Sequence, residues 1–147
     1  MIVELDRGSL ESCLKIERKC FSEPWTRAML EAEFEQPTSK LWGWLEGPEK
    51  ELVAYAVGWL IFEDFHVANL AVLPEWRRNG IGRELLRHML IWAAEHEAVR
   101  ALLEVRESNR AAINLYREIG FSLLGARPKY YRSPTEDALI LKKNLVG

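Results

Sequence analysis

The pattern of hydrophobic and polar residues changes period along the chain, and each change marks a predicted element. Stretches in which apolar residues recur every three or four positions indicate amphipathic helices, and short alternating or continuous apolar runs indicate strands. The predicted elements, in chain order, are a strand at 1–5, helices after Ser9 and after Thr26, strands at 41–46 and 51–62, a strand from the turn Glu63-Asp64 to Pro74, a helix opening at 81–82, a strand at 101–105, a helix between Asn109 and Gly120, and strands at 121–124 and 138–141. This order, β-αα-βββ-α-β-α-ββ, predicts an α/β (α+β) fold with a mixed sheet flanked by helices.

Residues at the predicted helix ends support these assignments. Ser9 is a candidate N-cap for the first helix, and Pro24-Trp25-Thr26 interrupts the chain and caps the second. Asn109 or Ser108 can cap the last helix, and Gly120 suits its left-handed C-terminal position.

Composition limits the class of protein. The chain has 147 residues and is 48% hydrophobic, which predicts a single domain at 1–147 with a substantial core. No stretch approaches the roughly 20 apolar residues of a membrane span, and the first residues resemble no signal peptide, so we expect a cytoplasmic protein. Twenty basic and 22 acidic residues give a net charge of -2, which argues against direct nucleic-acid binding.

Histidine and cysteine positions give no indication of a metal. His66, His88 and His96 show no metal-ligand spacing with each other or with the cysteines, and we interpret them as surface or half-buried residues. Cys13 and Cys20 lie about 10 Å apart along one predicted helix, beyond the ~7 Å limit for a disulfide. The sequence predicts two buried thiols.

The segment 77–83, Arg-Arg-Asn-Gly-Ile-Gly-Arg, follows an apolar strand and opens a helix. Gly80 and Gly82 allow a ligand to approach the backbone closely, and the free N–H groups and dipole of a helix N-terminus favour a phosphate. A glycine pair before a helix is equally compatible with a plain turn. The segment lacks the Gly-Lys-Ser/Thr ending of a P-loop, and no acidic residue closes a strand about 20 residues later, so neither ATP nor NAD is indicated.

Three segments together resemble the GNAT acetyltransferases. Residues 69–74, Asn-Leu-Ala-Val-Leu-Pro, followed by the loop at 77–82, resemble the acetyl-CoA signature Arg/Gln-x-x-Gly-x-Gly/Ala, and residues 103–109 and 112–121 resemble the second conserved block of that family. The resemblance implies a sheet that is splayed near its centre, with acetyl-CoA bound at the open strand edge and the glycine loop. It assigns the following residues to acetyl-CoA: Leu70, Ala71, Val72, Arg77, Arg78, Asn79, Gly80, Ile81, Gly82, Arg83 and Asn109.

Two residues are candidates for acid and base catalysis. Glu104 stands in an otherwise apolar strand, where a carboxylate is costly unless it is paired, hydrated or used; a strand face open to water is the alternative. Tyr116 follows Asn109 by seven residues on one helical face, a position where most tyrosines are core residues. The resemblance implies that Glu104 deprotonates the incoming amine, often through a water, and that Tyr116 protonates the sulfur of the departing CoA.

The acceptor is indicated by the chain's similarity to one branch of that family. Residues 21–26, Phe-Ser-Glu-Pro-Trp-Thr, and the segments 129–132 and 136–138 resemble the peptide groove of the RimI branch, which acetylates the N-terminal alanine of a small-subunit ribosomal protein. This implies substrate contacts at Pro24, Trp25, Tyr130 and Tyr131, although the first two could also be hinge and core residues. The alternatives are acetylation of a small amine or a lysine, or a CoA-binding module without catalysis.

Overall fold

The computed structural model, which describes residues 1–146, contains one seven-stranded sheet and four helices. The strands are β1 (Ile2–Glu4), β2 (Ser39–Glu46), β3 (Glu51–Ile61), β4 (Asp64–Val72), β5 (Arg100–Arg106), β6 (Ser122–Tyr131) and β7 (Glu136–Asn144), and the helices are α1 (Leu10–Cys20), α2 (Arg27–Glu35), α3 (Ile81–Glu95) and α4 (Arg110–Ile119). The strand order in the sheet is β1-β2-β3-β4-β5-β7-β6. The predicted element order and mixed sheet are therefore confirmed.

The sheet opens between β4 and β5, which form its parallel pair. Their pairing runs from Asp64 opposite Arg100 to His66 opposite Leu102 and does not extend beyond that point. The rest of β5 pairs with β7 instead, as far as Arg106 opposite Ala138. The second halves of β4 and β5 therefore diverge, as the resemblance implied.

Helices cover both faces of the sheet. Tyr55 of β3 points toward α1, where its hydroxyl donates to the Glu17 carboxylate. The next residue, Ala56, lies opposite Trp42 of β2, and the Trp42 ring packs edge to face against Trp92 of α3. Because successive strand residues point to opposite faces, α1 and α3 lie on opposite sides of the sheet.

The predicted helix ends are largely confirmed. Thr26 Oγ1 accepts a hydrogen bond from Met29 N, Asn109 Oδ1 accepts one from Ala112 N, and Gly120 ends α4 with a φ of 113°. Ser9 does precede α1, but its hydroxyl makes no capping bond; the side chain of Asp6 caps the preceding 3-10 turn instead.

The closing hairpin is longer than the sequence predicts. Strands were expected at 121–124 and 138–141, whereas β6 and β7 continue until Tyr131 pairs with Glu136. The added part of β6, residues 125–131, is mostly exposed and includes a glycine and a proline, so it shows no alternation of buried apolar and exposed polar residues for a pattern to detect.

Two further expectations concern the cysteines and the membrane. Cys13 and Cys20 are both free thiols; Cys13 is buried as predicted, but Cys20 is only half-buried because it lies at the C-terminal end of α1. Within residues 1–146, no helix is both long and apolar enough to cross a membrane.

Candidate active site

The open edge of β4 directs backbone groups into the cleft. Leu73 N donates to Val53 O of β3, so the alternation of an antiparallel ladder points the N–H and C=O of Ala71 toward β3. The same alternation points the N–H and C=O groups of Leu70 and Val72 away from β3. On that side β4 has no partner, because its pairing with β5 ends at His66. The carbonyl of Val72 accepts hydrogen bonds from Arg77 Nε at 3.0 Å and Cys20 Sγ at 3.3 Å. The Val72 N–H lies on the same open edge.

The glycine loop brings the N-terminus of α3 against this edge. Gly80 takes the N-cap position with a φ of 77° and supplies no side-chain acceptor for the first turn of the helix. The first N–H groups of a helix have no partner within the helix, so here they can receive a ligand. A Cβ at Gly82 would lie 3.6 Å from Val72 Cγ2, an ordinary contact distance, so the helix start and the end of β4 are neighbours.

The loop side chains divide into internally bonded and exposed groups. Asn79 Nδ2 donates to Trp76 O and Arg77 O, which fixes the loop from within. Arg83 forms an ion pair with Glu118 of α4. Arg78, with a φ of 67°, is exposed at the tip of the loop.

Tyr116 lies within α4, and Asn109 is the N-cap residue of that helix. Asn109 has the capping role that the sequence allowed for it. Tyr116 is half-buried, with its ring edge to face against Phe121 at a centroid distance of 6.0 Å. Burial raises the pKa of Tyr116 to about 12, so the phenol is protonated at neutral pH.

The Glu104 carboxylate is paired, which explains its place in an apolar strand. Its side chain is 14% exposed, with Oε2 2.9 Å from His66 Nε2 and Oε1 3.7 Å from an Arg127 guanidinium nitrogen. The hydrogen bond with His66 lowers the pKa of Glu104, and burial opposes this effect in part. Glu104 is therefore ionised at neutral pH.

His66 is the residue of this site that sequence reasoning missed. It is the last residue of β4 that pairs with β5, and its ring lies 5.2 Å from that of Trp59 on β3. The Trp59 indole N–H donates to Glu33 of α2. No local pattern could have placed His66 beside Glu104, because the register between β4 and β5 follows from a crossover through α3.

Arg106, two residues after Glu104 on the same strand face, fixes the β6–β7 hairpin beside this carboxylate. Its guanidinium donates to Arg132 O at 2.7 Å and Pro134 O at 2.9 Å. Its Cζ lies 4.6 Å from the centroid of the Tyr131 ring. We call the region beside Glu104, bounded by residues 21–26 and 127–134, the acceptor groove.

The predicted substrate residues lie on the two sides of the acceptor groove. Pro24 is exposed and Trp25 half-buried on the first side, and Ser22 Oγ on that side donates to Ser133 O of the hairpin at 2.9 Å. On the second side, Tyr130 is 50% exposed. Tyr131 is half-buried, and burial together with the charge of Glu104 raises its pKa to about 12.

Within residues 1–146, no group of three or more His, Cys, Asp and Glu side chains is arranged to hold a metal ion. The groups of the candidate site are the open edge of β4, the uncapped start of α3, the Tyr116 phenol, and the Glu104 carboxylate paired with the His66 imidazole.

Several known acetyltransferases are similar to this chain over most of its length. The N-alpha-acetyltransferase RimI of Mycobacterium tuberculosis is 33% identical over 146 residues, covering 95% of this chain and 89% of that protein. The ribosomal protein bS18-alanine N-acetyltransferase of Escherichia coli is 29% identical over 142 residues, covering 95% of this chain and 94% of that protein. The crystal structure of the Escherichia coli ribosomal-protein-S18-alanine N-acetyltransferase superposes with a TM-score of 0.92 at 27% identity, covering 100% of this chain and 94% of that one.

The family model for the Acetyltransferase (GNAT) family matches residues 10–121, which include the open strand edge, the glycine loop and Glu104. The protein therefore belongs to the GNAT family of acetyltransferases, enzymes that take the acetyl group from acetyl-CoA, and its relatives are of the RimI branch.

Proposed function

We propose that this acetyltransferase acts on the N-terminal α-amine of a protein, and that its acceptor is the N-terminal alanine of the small-subunit ribosomal protein bS18. The observation that carries this is the ionised Glu104 carboxylate, which is paired with His66 and Arg127 and lies between the two segments that resemble the peptide groove of the RimI branch. The names of the Escherichia coli and Mycobacterium tuberculosis relatives specify an N-terminal amine.

On the donor side, acetyl-CoA supplies an activated acetyl group as a thioester. The open edge at 70–72 would hold its acyl arm, and the Val72 N–H would donate to the thioester carbonyl, a contribution commonly worth about 3–4 kcal/mol to the barrier. The first turn of α3 and exposed Arg78 would hold the diphosphate. Asn79 and Arg83 have internal partners, so we assign their contribution to the backbone N–H groups and to loop shape.

On the acceptor side, the Glu104 carboxylate takes a proton from the α-ammonium group, directly or through one water, and thereby produces the nucleophilic amine. An α-amine with a pKa near ~7.8 is roughly one-tenth neutral at pH 7, whereas a lysine near ~10.4 is neutral in only a few molecules per ten thousand. One carboxylate is therefore better matched to an α-amine.

Tyr116 completes the transfer by donating its hydroxyl proton to the sulfur as the C–S bond breaks and the C–N bond forms. Burial raises the pKa of Tyr116 to about 12, above that of an ordinary thiol near ~8.5, so the transfer depends on holding the hydroxyl against the sulfur. Transfer is direct, because Cys13 is buried and Cys20 donates its thiol to Val72 O.

A matched set of peptides tests the proposal. We expect acetylation of a peptide with the N-terminal sequence of bS18, with slower reaction when its first alanine is replaced by a large residue. The same peptide with its α-amine blocked and an internal lysine left free should not react. Rapid acetylation of that lysine, or of small amines in preference to both peptides, would overturn the proposed acceptor.

A further inference from the structure

The two oxygens of the Glu104 carboxylate have different surroundings. Oε2 accepts a hydrogen bond from His66 Nε2 at 2.9 Å, and this bond lowers the pKa of Glu104. Oε1 lies 3.7 Å from an Arg127 guanidinium nitrogen, which is too far for a hydrogen bond. Oε1 is therefore the oxygen that remains to take a proton from the substrate amine, and Arg127 is the cation beside it.

Arg127 reaches Oε1 because little side-chain bulk lies in its way. On β6, Arg127 lies opposite Ala138 of β7, which has only a methyl group. Two residues earlier, Gly125 lies opposite Ile140, and Ile140 pairs with Glu104 on β5. A Cβ at Gly125 would meet no atom within 4 Å. Paired residues point to the same face of a sheet, so the Arg127 side chain crosses β7 diagonally toward Glu104.

Other ionisable groups near this carboxylate have partners or are uncharged. Arg106 on β5 donates to two carbonyls of the hairpin and lies 3.6 Å from Glu136 of β7. Asp137 of β7 accepts a backbone N–H of β6 at 2.9 Å. Burial and the charge of Glu104 raise the pKa of Tyr131 to about 12, so this phenol is neutral near pH 7. The Arg127 side chain is 56% exposed, and its charge is the one that an amine meets at Oε1.

We propose that Arg127 makes the enzyme selective for amines that arrive uncharged, and thereby for α-amines over lysine side chains. The inference rests on the proposed function, because it concerns the amine that Glu104 receives. An ammonium group at Oε1 would lie within a few ångströms of the guanidinium, and the two positive charges repel each other. The route from ammonium through Glu104 stays open but is slowed, whereas a neutral amine meets no such repulsion.

The repulsion falls mainly on lysine. At pH 7 an α-amine is roughly one-tenth neutral, whereas a lysine is neutral in only a few molecules per ten thousand. An α-amine can therefore reach Glu104 in its neutral form, and a lysine almost always brings its charge with it.

The first test is the ratio of kcat/KM between Arg127→Gln and the wild type, measured from about pH 6 to about pH 9.5 on an alanine-starting peptide without lysine. Titrations that the two enzymes share cancel in this ratio. We expect the variant to be faster on the order of fivefold near pH 6, where the α-amine is charged, and equal to the wild type above about pH 9. The gain should appear as a lower KM, because the repulsion acts on the binding of the ammonium group.

Two further variants separate the local charge from other effects. Arg127→Lys keeps the charge and should retain most of the wild-type profile. Arg117→Gln removes a charge of the same sign from an exposed position on α4 and should also match the wild type. A ratio that is the same at every pH, or an Arg127→Gln variant that is slower than the wild type near pH 6, would overturn the inference. Melting temperatures establish that each variant is folded.

The selectivity can also be measured directly on one peptide that carries both a free α-amine and a lysine. Near pH 9 the α-amine is mostly neutral and the lysine mostly charged, so loss of Arg127 should favour lysine alone. We expect the ratio of α-acetylated to lysine-acetylated product, read by mass spectrometry, to fall about fivefold in Arg127→Gln. An unchanged ratio would contradict the inference.

A last measurement needs no substrate. The hydrogen bond with His66 has the largest effect on the pKa of Glu104, and the charge of Arg127 lowers this pKa further. The NMR titration midpoint of the Glu104 carboxyl carbon should therefore rise in Arg127→Gln and stay unchanged in Arg117→Gln, and equal midpoints would contradict the charge pair. If the wild type acetylates no peptide, the proposed function fails while NMR still decides the charge pair; if it acetylates the peptide with a flat kcat/KM ratio, only the selectivity fails.

Discussion

The buried carboxylate of Glu17 accepts a hydrogen bond from the backbone N–H of Trp25 at 2.7 Å, which joins α1 to one side of the acceptor groove. Its other oxygen accepts from the Tyr55 hydroxyl on β3 at 2.5 Å and from Asn69 Nδ2 on β4 at 2.7 Å. Glu17 is only 1% exposed, so these are its means of compensating for lost water. One carboxylate thus sets the position of residues 21–26 relative to the open strand.

We expect Glu17→Gln to hold residues 21–26 less firmly in place. The amide replaces one acceptor oxygen with a donor that faces other donors, at a cost of about 1–3 kcal/mol in unfolding free energy. The KM for the peptide should rise several-fold while the KM for acetyl-CoA stays unchanged. Glu11→Gln on the same helix is the control, because Glu11 is exposed and pairs only with Arg27. Equal changes in both KM values would show that Glu17 supports the fold without orienting the loop.

Arg106→Lys should loosen the opposite side of the groove. Lysine keeps the charge but lacks the two-nitrogen fork that reaches Arg132 O and Pro134 O and the planar group that stacks on Tyr131. We expect a several-fold increase in the peptide KM with little change in acetyl-CoA affinity. Arg117→Lys, at an exposed position on α4, serves as the control. Weaker acetyl-CoA binding in Arg106→Lys would place the hairpin on the donor side.

Gly82→Asp should weaken acetyl-CoA binding by more than tenfold in calorimetry, because it puts negative charge at the N–H groups of the first turn of α3. Gly82→Ala separates charge from size. Its methyl group would lie 3.6 Å from Val72 Cγ2, so the alanine variant should fold and lose much less affinity.

Arg78→Glu tests the same diphosphate site from the exposed tip of the loop, where reversal of charge should also lower acetyl-CoA affinity strongly. Arg87→Glu lies later on α3, where Arg87 contacts only Glu84 at 3.9 Å, and should change the affinity little. Undiminished affinity in both Arg78→Glu and Gly82→Asp would remove the loop from the cofactor site.

Tyr116→Phe keeps the ring and its contact with Phe121 but removes the proton donor. We expect kcat to fall about 100-fold, with acetyl-CoA affinity and melting temperature nearly unchanged. Near-normal kcat with a lower melting temperature would identify a core residue. Because burial raises the pKa of Tyr116 to about 12, no alkaline limb of kcat from this residue should be seen below about pH 10.

Glu104→Gln is nearly isosteric and cannot accept a proton. The variant should be slow near neutrality and recover by up to about tenfold above pH 7, since rising pH deprotonates the α-amine without assistance. The hydrogen bond with His66 lowers the pKa of Glu104, so the carboxylate is already ionised near neutrality and its own titration does not account for this recovery. A variant whose deficit is constant with pH would indicate a structural role for the carboxylate.

The sequence by itself determined the features that arise between near neighbours along the chain. Helical periodicity, the caps at Thr26 and Asn109, and the left-handed Gly120 all depend on residues within about one helical turn. These signals were sufficient for the element order and for the glycine loop. They failed in the outer part of the closing hairpin, where the residues are mostly exposed and show no hydrophobic period.

Only the tertiary structure decided how distant segments meet. His66 and Glu104 are 38 positions apart, and Ser22 and Ser133 are 111 apart. Their contacts depend on the parallel register of β4 and β5 and on the hairpin held by Arg106, neither of which leaves a local pattern. The sequence therefore indicates that Glu104 requires a partner, because it is a carboxylate in an apolar strand. Its partner is decided by the strand register, because side-chain contacts across a sheet depend on which residues lie opposite each other.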